Sequence, residues 1–399
     1  MKEILNCKCR ICGSKRLYEV ITLEKMPLTD EFITQDDFGK EFLSDIVIGI
    51  CSNCGITQNC NDLNMSLYYD KYEYSVGYSP LFNHFMEKLV EKTIKFFSKK
   101  NLQSVKVLEI GSGSGELLEK FKRCGVSVLG IEPSSSLCKF ANKKGIPTLN
   151  SFFCYDMVEN IPADFKTVDC IISCYTFDHL PDINDALQAC RKILNKNGKL
   201  IIEIHDLDLI IKRKEFCLFE HEHYFYLNKE TAEFVFNKNG FNIIDFNLLR
   251  NEERRANSLL IVAEPKYDDN YINLNLEIEL KKVSGLKENI TELINKIDAW
   301  LLNNSKYKIV AYGAGGRGVM TIAALKNYKY FNVIIDKNPK GDNIYLPKTH
   351  IPIKKPEFLI NTRVDYIFVF SYGYFKEIIQ ELSKYGYSKK QFVSLLDFS

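Results

Sequence analysis

The sequence predicts an α/β protein: a doubly wound parallel sheet, preceded by a small cysteine-bearing module and followed by a second, Rossmann-like α/β unit. Three observations carry this. Val107-Leu108-Glu109-Ile110 is an apolar run that opens into Gly111-Ser112-Gly113-Ser114-Gly115 and then a helical pattern. Two Cys-x-x-Cys-Gly knuckles lie upstream, at Cys9 to Gly13 and at Cys51 to Gly55. A second strand, glycine turn and helix begins at Lys308. A chain of 399 residues has room for two or three domains. The composition shifts place them at 1–66, 67–266 and 267–399.

Composition narrows the function classes. The chain is 46% apolar and 26% charged, which is globular. A net charge of +2 gives no global attraction to nucleic acid or to an anionic membrane. No apolar run reaches the ~18 residues that span a bilayer. Met1 to Cys12 lacks the apolar core of a signal peptide. Thirteen cysteines without an export signal indicate reduced thiols and a cytoplasmic protein.

In the first module, each Cys-x-x-Cys-Gly holds two thiolates close enough for one cation, and the glycine allows the tight turn. Cys9, Cys12, Cys51 and Cys54 together make a four-thiolate set that suits tetrahedral zinc, with no open position, so the metal is expected to be structural. Cys7 and Cys60 lie close enough in sequence to compete for it. Residues 68–79 are rich in tyrosine, readable as packing aromatics or as phenol donors aimed into a cleft. An amphipathic helix is expected next, with Phe82, Phe85, Leu89 and Phe96 on its apolar side.

The glycine turn at 111–115 comes at a strand-to-helix junction, where glycines let backbone approach a ligand and leave the first N–H groups of the helix free. A second apolar run, Ser127 to Ile131, ends in Glu132, an acid placed to accept ribose hydroxyls. The G-x-G-x-G spacing, with Glu109 before the first glycine, resembles the S-adenosylmethionine site of a class I methyltransferase. Alternating strands continue through Val168 to Ser173 and Leu200 to Ile204, and ligands belong at their carboxyl ends. The expected cofactor set is Glu109, Gly111, Gly113, Gly115, Glu132, Pro133, Phe153 and Ser173. His179 falls on the same edge, just past Ser173.

Glu220-His221-Glu222-His223 concentrates two histidines and two acids. If extended, it puts both histidines on one face. With six histidines in the chain and no second histidine-rich stretch, a general base is a better reading than a metal ligand. Residues 268–306 carry an apolar stripe at Leu276, Val283, Ile290 and Ile297, with Leu286 and Leu293 between, which predicts a bridging helix with a weak point at Gly285. Gly313, Gly315 and Gly318 then satisfy G-x-G-x-x-G after a strand, with Asp336 ending the next one. The unit is too short for a full dinucleotide domain, so a half-site or a ligand-free scaffold competes with NAD binding.

Taken in order, these pieces resemble the sugar C-methyltransferases that act on nucleotide-linked keto-deoxysugars. The resemblance rests on the two cysteine knuckles, Tyr72-x-Tyr74-x-x-x-Tyr78-Ser79, Gly130-Ile131-Glu132-Pro133 and His179-Leu180-Pro181-Asp182-Ile183-Asn184. It rests also on His221-Glu222-His223, Tyr312 to Gly318, Asp336-Lys337-Asn338-Pro339 and Leu346-Pro347-x-Thr349-His350-Ile351-Pro352. It implies a monomeric cytoplasmic enzyme with structural zinc, S-adenosylmethionine in the middle domain and a sugar nucleotide between domains. It implies His223 as base, and Glu222, His179, Tyr72, Tyr74 and Tyr78 around the sugar. The chain departs from the family pattern at Glu220 (usually Tyr), at Tyr175 (usually Asn), and at Ala256-Asn257-Ser258 (usually Gly-Gly-Ser). These departures surround the expected sugar pocket, so carbon and oxygen both stay open as methyl acceptors. A zinc-bearing RNA methyltransferase and an NAD-linked nucleotide-binding protein are the competing classes. The first is disfavoured by the absence of a basic cluster beside the cysteines.

Overall fold

The computed structural model describes residues 2–4, 7–70, 80–97, 100–339 and 341–398. Tyr72, Tyr74 and Tyr78 lie outside the described residues.

Three sheets organise the chain. The middle one has seven strands in the order Phe241–Asp245, Leu259–Pro265, Leu194–Ile204, Val168–Cys174, Lys106–Ile110, Ser127–Glu132, Thr148–Asn150. All run parallel except Leu259–Pro265, which is antiparallel to both neighbours. Strands such as Val168–Cys174 are buried along nearly their whole length, as expected for a sheet covered on both faces. Lys106–Ile110 is central, with the chain winding away from it on either side, and ligand crevices form at the carboxyl end of such a switch.

The N-terminal sheet is antiparallel: Leu17–Met26, Ser44–Cys51, Thr57–Asn59 and then Phe225–Tyr226. Its last strand comes from far along the chain, immediately after His223-Tyr224. The C-terminal sheet has five parallel strands, ordered Ile353–Lys354, Phe331–Ile335, Ile309–Tyr312, Tyr366–Val369, Phe392–Ser394.

The expected bridging helix is two helices, Leu276–Lys282 and Leu286–Asn303, broken at Gly285 with φ +79°. Val283, Leu286, Ile290, Leu293 and Ile297 are buried in one core with Val20, Ile21 and Leu23 of the N-terminal sheet and Ile309, Phe331 and Ile334 of the C-terminal one. The segment therefore packs between two sheets instead of spanning solvent. Phe96 departs from expectation. The helix Pro80–Lys95 ends before it, and Phe96 is 38% exposed while Phe82, Phe85 and Leu89 are buried.

The N-terminal module also touches the C-terminal unit directly. Ile33 bridges to Tyr345, His350 Nε2 lies 2.7 Å from Glu41 Oε1, and the Phe38 ring stacks on His350 at 3.9 Å.

The second glycine turn is sterically tight. A Cβ at Gly318 would overlap the carbonyl oxygen of Gly313, and Gly313 itself has φ +101°. Gly318→Ala should therefore cost about 2 kcal/mol or more, because backbone has to move to relieve the overlap. Denaturant melts of the full chain read this directly, and an unchanged midpoint would show that the turn relaxes freely.

Candidate functional site

A cavity of about 710 Å³ lies where the carboxyl ends of the middle strands face the N-terminal sheet and the second glycine turn. Thr29 and Asp30 line it from the first module, and Gly315, Gly316 and Arg317 from the last unit.

One end is built by the first glycine turn. Gly111, Gly113 and Gly115 have φ of +71°, +53° and +85°, conformations that side-chain-bearing residues rarely adopt. A Cβ at Gly111 would collide with the Thr176 side chain, while the space above Gly113 is open. Gly115 caps the helix Glu116–Arg123. Glu132 is held by two backbone donors: the Gly113 N–H to Oε2 and the Ser134 N–H to Oε1, both at 2.8 Å. Burial pushes its carboxyl upward, partly offset by those two bonds. Pro133, Phe152 and Phe153 continue the wall. Glu109 is buried with Oε2 accepting no hydrogen bond, and burial, with Glu116 and Glu132 nearby, pushes its carboxyl well above the usual range. These features fit an adenosyl ligand: open glycine backbone, an oriented acid and an aromatic wall.

Ser173 is placed differently from the rest of its set. It is fully buried in the sheet and donates to the Ile110 carbonyl at 3.2 Å. The cavity wall there is made by Cys174, Tyr175 and Thr176. Tyr175 sits at φ +49°, donates its hydroxyl to the Asn257 carbonyl, and packs between the Arg255 guanidinium (4.1 Å) and the His205 ring (4.4 Å).

The other end is built by the Glu220–His223 segment, which is a turn and not an extended strand. Its histidines consequently do not share a face. His221 Nε2 pairs with the Met26 carbonyl at 3.0 Å, in the N-terminal sheet. His223 Nδ1 donates to the Leu218 carbonyl at 2.9 Å, and its ring lines the cavity. Glu222 Oε1 accepts from Thr29 Oγ1 at 3.0 Å and from the Tyr68 hydroxyl at 3.4 Å. The Tyr69 hydroxyl lies 2.9 Å from His179 Nδ1. Tyr68 and Tyr69 open the tyrosine-rich stretch, and they reach the site from the helix Ser66–Asp70.

Two further side chains join this end that sequence reasoning passed over. His205 directly follows the strand Leu194–Ile204, and Asp178 precedes His179. His205 Nδ1 lies 2.9 Å from Asp178 Oδ2. The rings of His179 and His205 stand 4.8 and 4.7 Å from that of His223. The chain thus has a histidine cluster, assembled from three separate segments. Burial and the neighbouring His223 lower His179 to about 4, and burial lowers His205 to about 3, so both imidazoles are neutral near pH 7. Burial pushes Asp178 up, but the His205 hydrogen bond and the surrounding imidazoles outweigh it and hold the carboxyl below its ordinary range.

Glu220 also lines the cavity. Its carboxyl lies against Gly316 at the start of the helix Gly316–Ala324, and burial, Glu222 and Asp30 push it well above the usual range. Asp336 accepts the N–H groups of Ala314 (2.8 Å) and Asn338 (3.0 Å), so its carboxylate ties the second glycine turn to itself.

In the first module the Sγ atoms of Cys9, Cys12, Cys51 and Cys54 all lie within 4.8 Å of one another. Cys9–Cys54 is 3.5 Å and Cys12–Cys51 3.7 Å. Zinc–thiolate bonds of ~2.3 Å in a tetrahedron separate sulfurs by about 3.8 Å, so the four fit zinc with no rearrangement of the knuckles. Gly13 and Gly55 close the two turns at φ +71° and +69°. Cys7 and Cys60 are not in the set.

Three family models match segments of the chain. Residues 9–67 match the family described as "Putative zinc binding domain", residues 82–245 the "Methyltransferase domain", and residues 277–396 the "C-methyltransferase C-terminal domain". The chain is 22% identical over 388 residues to C-methyltransferase NovU of Streptomyces niveus, covering 93% of this chain and 91% of that protein. It is 33% identical over 128 residues to an uncharacterized methyltransferase of Oceanobacillus iheyensis, covering 31% of this chain and 54% of that one. Among solved structures, the PH0226 protein of Pyrococcus horikoshii matches with a TM-score of 0.40 and 19% identity over 50% of this chain and 99% of that one. The CcbJ methyltransferase of Streptomyces caelestis matches at 0.37 and 12% identity over 51% and 97%.

Two outcomes check the site. Glu132→Ala should weaken S-adenosylmethionine binding by about tenfold or more in calorimetry, since it removes an oriented charged acceptor; unchanged affinity would move the ribose elsewhere. Purified protein should carry zinc that Cys51→Ser loses, together with thermal stability. A folded, metal-free wild type would remove the metal from the first module.

Proposed function

The chain belongs to the S-adenosylmethionine-dependent methyltransferases, and we propose that it methylates a carbon of a nucleotide-linked keto-deoxysugar, through an enolate. The observation that carries this reading is the tautomer of His223. Its Nδ1–H is committed to the Leu218 carbonyl, which leaves Nε2 with a free lone pair on a ring that lines the cavity. That is the form a general base needs. The overall match to C-methyltransferase NovU along 93% of the chain supports carbon as the acceptor atom.

S-adenosylmethionine supplies a methyl group already activated by its sulfonium. The chain's own residues have three tasks. The first glycine turn and Glu132 would hold the cofactor's ribose end. Nε2 of His223 takes the proton α to the ketone, a step worth roughly 10²–10⁴-fold. Glu222, fixed by Thr29, faces the same end of the cavity and orients the acceptor. His179 lines the cavity as a donor to the developing oxyanion, with Tyr72, Tyr74 and Tyr78 proposed for the same task. Holding the acceptor carbon in line with the methyl adds a proximity term that solution chemistry lacks.

His223→Ala should bind S-adenosylmethionine normally while turnover falls by about 10²–10⁴-fold; full activity would remove it as base. Screening nucleotide-linked 4-keto sugars with methyl-labelled cofactor, then locating the label by NMR, decides the acceptor. A label on oxygen would overturn the carbon reading.

A further inference from the structure

We propose that Asp178, acting through His205, is the buried counter-ion that supports His223 as a base. This rests on the reading of His223 given above. Asp178 is 2% exposed and comes from the turn after Val168–Cys174. Its Oδ2 accepts from His205 Nδ1 at 2.9 Å. Among the described residues its Oδ1 accepts no hydrogen bond, and it lies 4.0 Å from His179 Nε2. One polar atom from each of Asp178, His205 and His223 falls within 4.8 Å of the other two.

A buried carboxylate with an unpartnered oxygen is costly unless a cation comes to it. Among the described residues, His179 and His205 are both held neutral. Proton abstraction creates a cation. The C–H bond breaks, its electron pair stays on the acceptor carbon and then forms the bond to the methyl as the methyl–sulfur bond breaks; that bond's pair stays on sulfur, S-adenosylhomocysteine leaves as the neutral thioether, and the proton rests on His223 Nε2. The new imidazolium lies beside Asp178, in an interior where charges interact far more strongly than in water. Asp178 stays ionised throughout, and the proton leaves to solvent after transfer. The other groups facing His223 are Glu222, which adds negative charge, His179 and the edge of Tyr226; Arg317 faces His205 and opposes the effect. His205 donates to Asp178 and lies between it and the cavity, so it is a positioning residue.

The test follows the titration of His223 in the full chain by NMR of ¹⁵N-labelled histidine, with His223→Gln assigning the signal among six histidines. Removing the anion destabilises the imidazolium, so Asp178→Asn should lower the titration midpoint by about one pH unit or more. Asp178→Glu should restore part of it. On the acceptor found by the labelled-cofactor screen, Asp178→Asn should move the acid limb of the kcat–pH profile to lower pH and reduce the plateau, with S-adenosylmethionine affinity unchanged. If Asp178→Asn does not fold, His205→Gln makes the same measurement through the other member of the pair, and the midpoint should fall in the same direction. An unmoved midpoint overturns the proposal even if His223→Gln abolishes turnover. An active His223→Ala instead sinks the base reading while leaving the titration result standing. A second equivalent of metal per chain, lost in Asp178→Asn, would also overturn it, by making these three residues ligands.

Discussion

The pairing of Phe225–Tyr226 with Thr57–Asn59 is the contact on which the acceptor end of the site depends. It has only two register pairs, Thr57 with Tyr226 and Gln58 with Phe225, yet it closes the N-terminal sheet onto the middle unit. Side bonds reinforce it: the Asn59 amide donates to the Tyr224 carbonyl at 3.1 Å, Asn59 Nδ2 to the Glu220 carbonyl at 3.2 Å, and the Tyr224 amide to the Asp178 carbonyl at 2.9 Å. The Glu220–His223 turn therefore inherits its position from a strand that starts three residues after Cys54. A two-residue pairing is weak by itself. Fixing Cys51 and Cys54 on one metal removes freedom from the short Thr57 strand and makes the pairing effective. A zinc in the first module therefore bears, through this pairing, on the position of the Glu220–His223 turn.

Four buried acids line the cavity, and a fifth, Asp178, lies behind His205; their environments diverge. Glu132 keeps two backbone donors; Glu109 and Glu220 have burial and like charges that favour the neutral acid; Asp178 and Glu222 have imidazoles that favour the anion. Such divergence is expected where carboxyl groups serve separate purposes in one site. It separates the end of the cavity at the first glycine turn, where Glu132 holds two backbone donors, from the end at His179, His205 and His223, where the anions lie beside imidazoles.

Much of the framework was legible in the residues because its signals are local. Glycine turns, Cys-x-x-Cys-Gly knuckles and apolar strands each follow from neighbouring residues, and the α/β class follows from their alternation. Most of the misreadings come from contacts between segments far apart in sequence. His205 and Asp178 carry no signal until three strand ends converge on His223. The Glu220–His223 segment reads as extended by alternation, but Met26 and Leu218 each capture one histidine and turn it. Ser173 sits on the right strand, yet its alternation aims it into the sheet, and the residues after it form the wall. The apolar stripe from Leu276 to Ile297 reads as one bridging helix, whereas Gly285 breaks it and two sheets bury it.

The second glycine turn shows why a motif has to be judged by what its atoms already do. In a dinucleotide site the acid ending the second strand faces a ribose and the helix N-terminus faces a phosphate. Here Asp336 is occupied by Ala314 and Asn338, and the start of the helix faces the Glu220 carboxyl. Asp336 is thus satisfied from within the chain, and Glu220 occupies the space before the helix. The turn then contributes backbone and Arg317 to the cavity wall, and the glycines are explained by close packing: a Cβ at Gly318 would strike Gly313, and one at Gly316 would strike Glu220. Glu220, the residue at which the chain departs from the expected pattern, presents the cavity with a carboxyl braced against a helix start. Acceptor selection is therefore expected to follow Glu220 and its neighbours Glu222 and Arg317 more closely than the glycine signature.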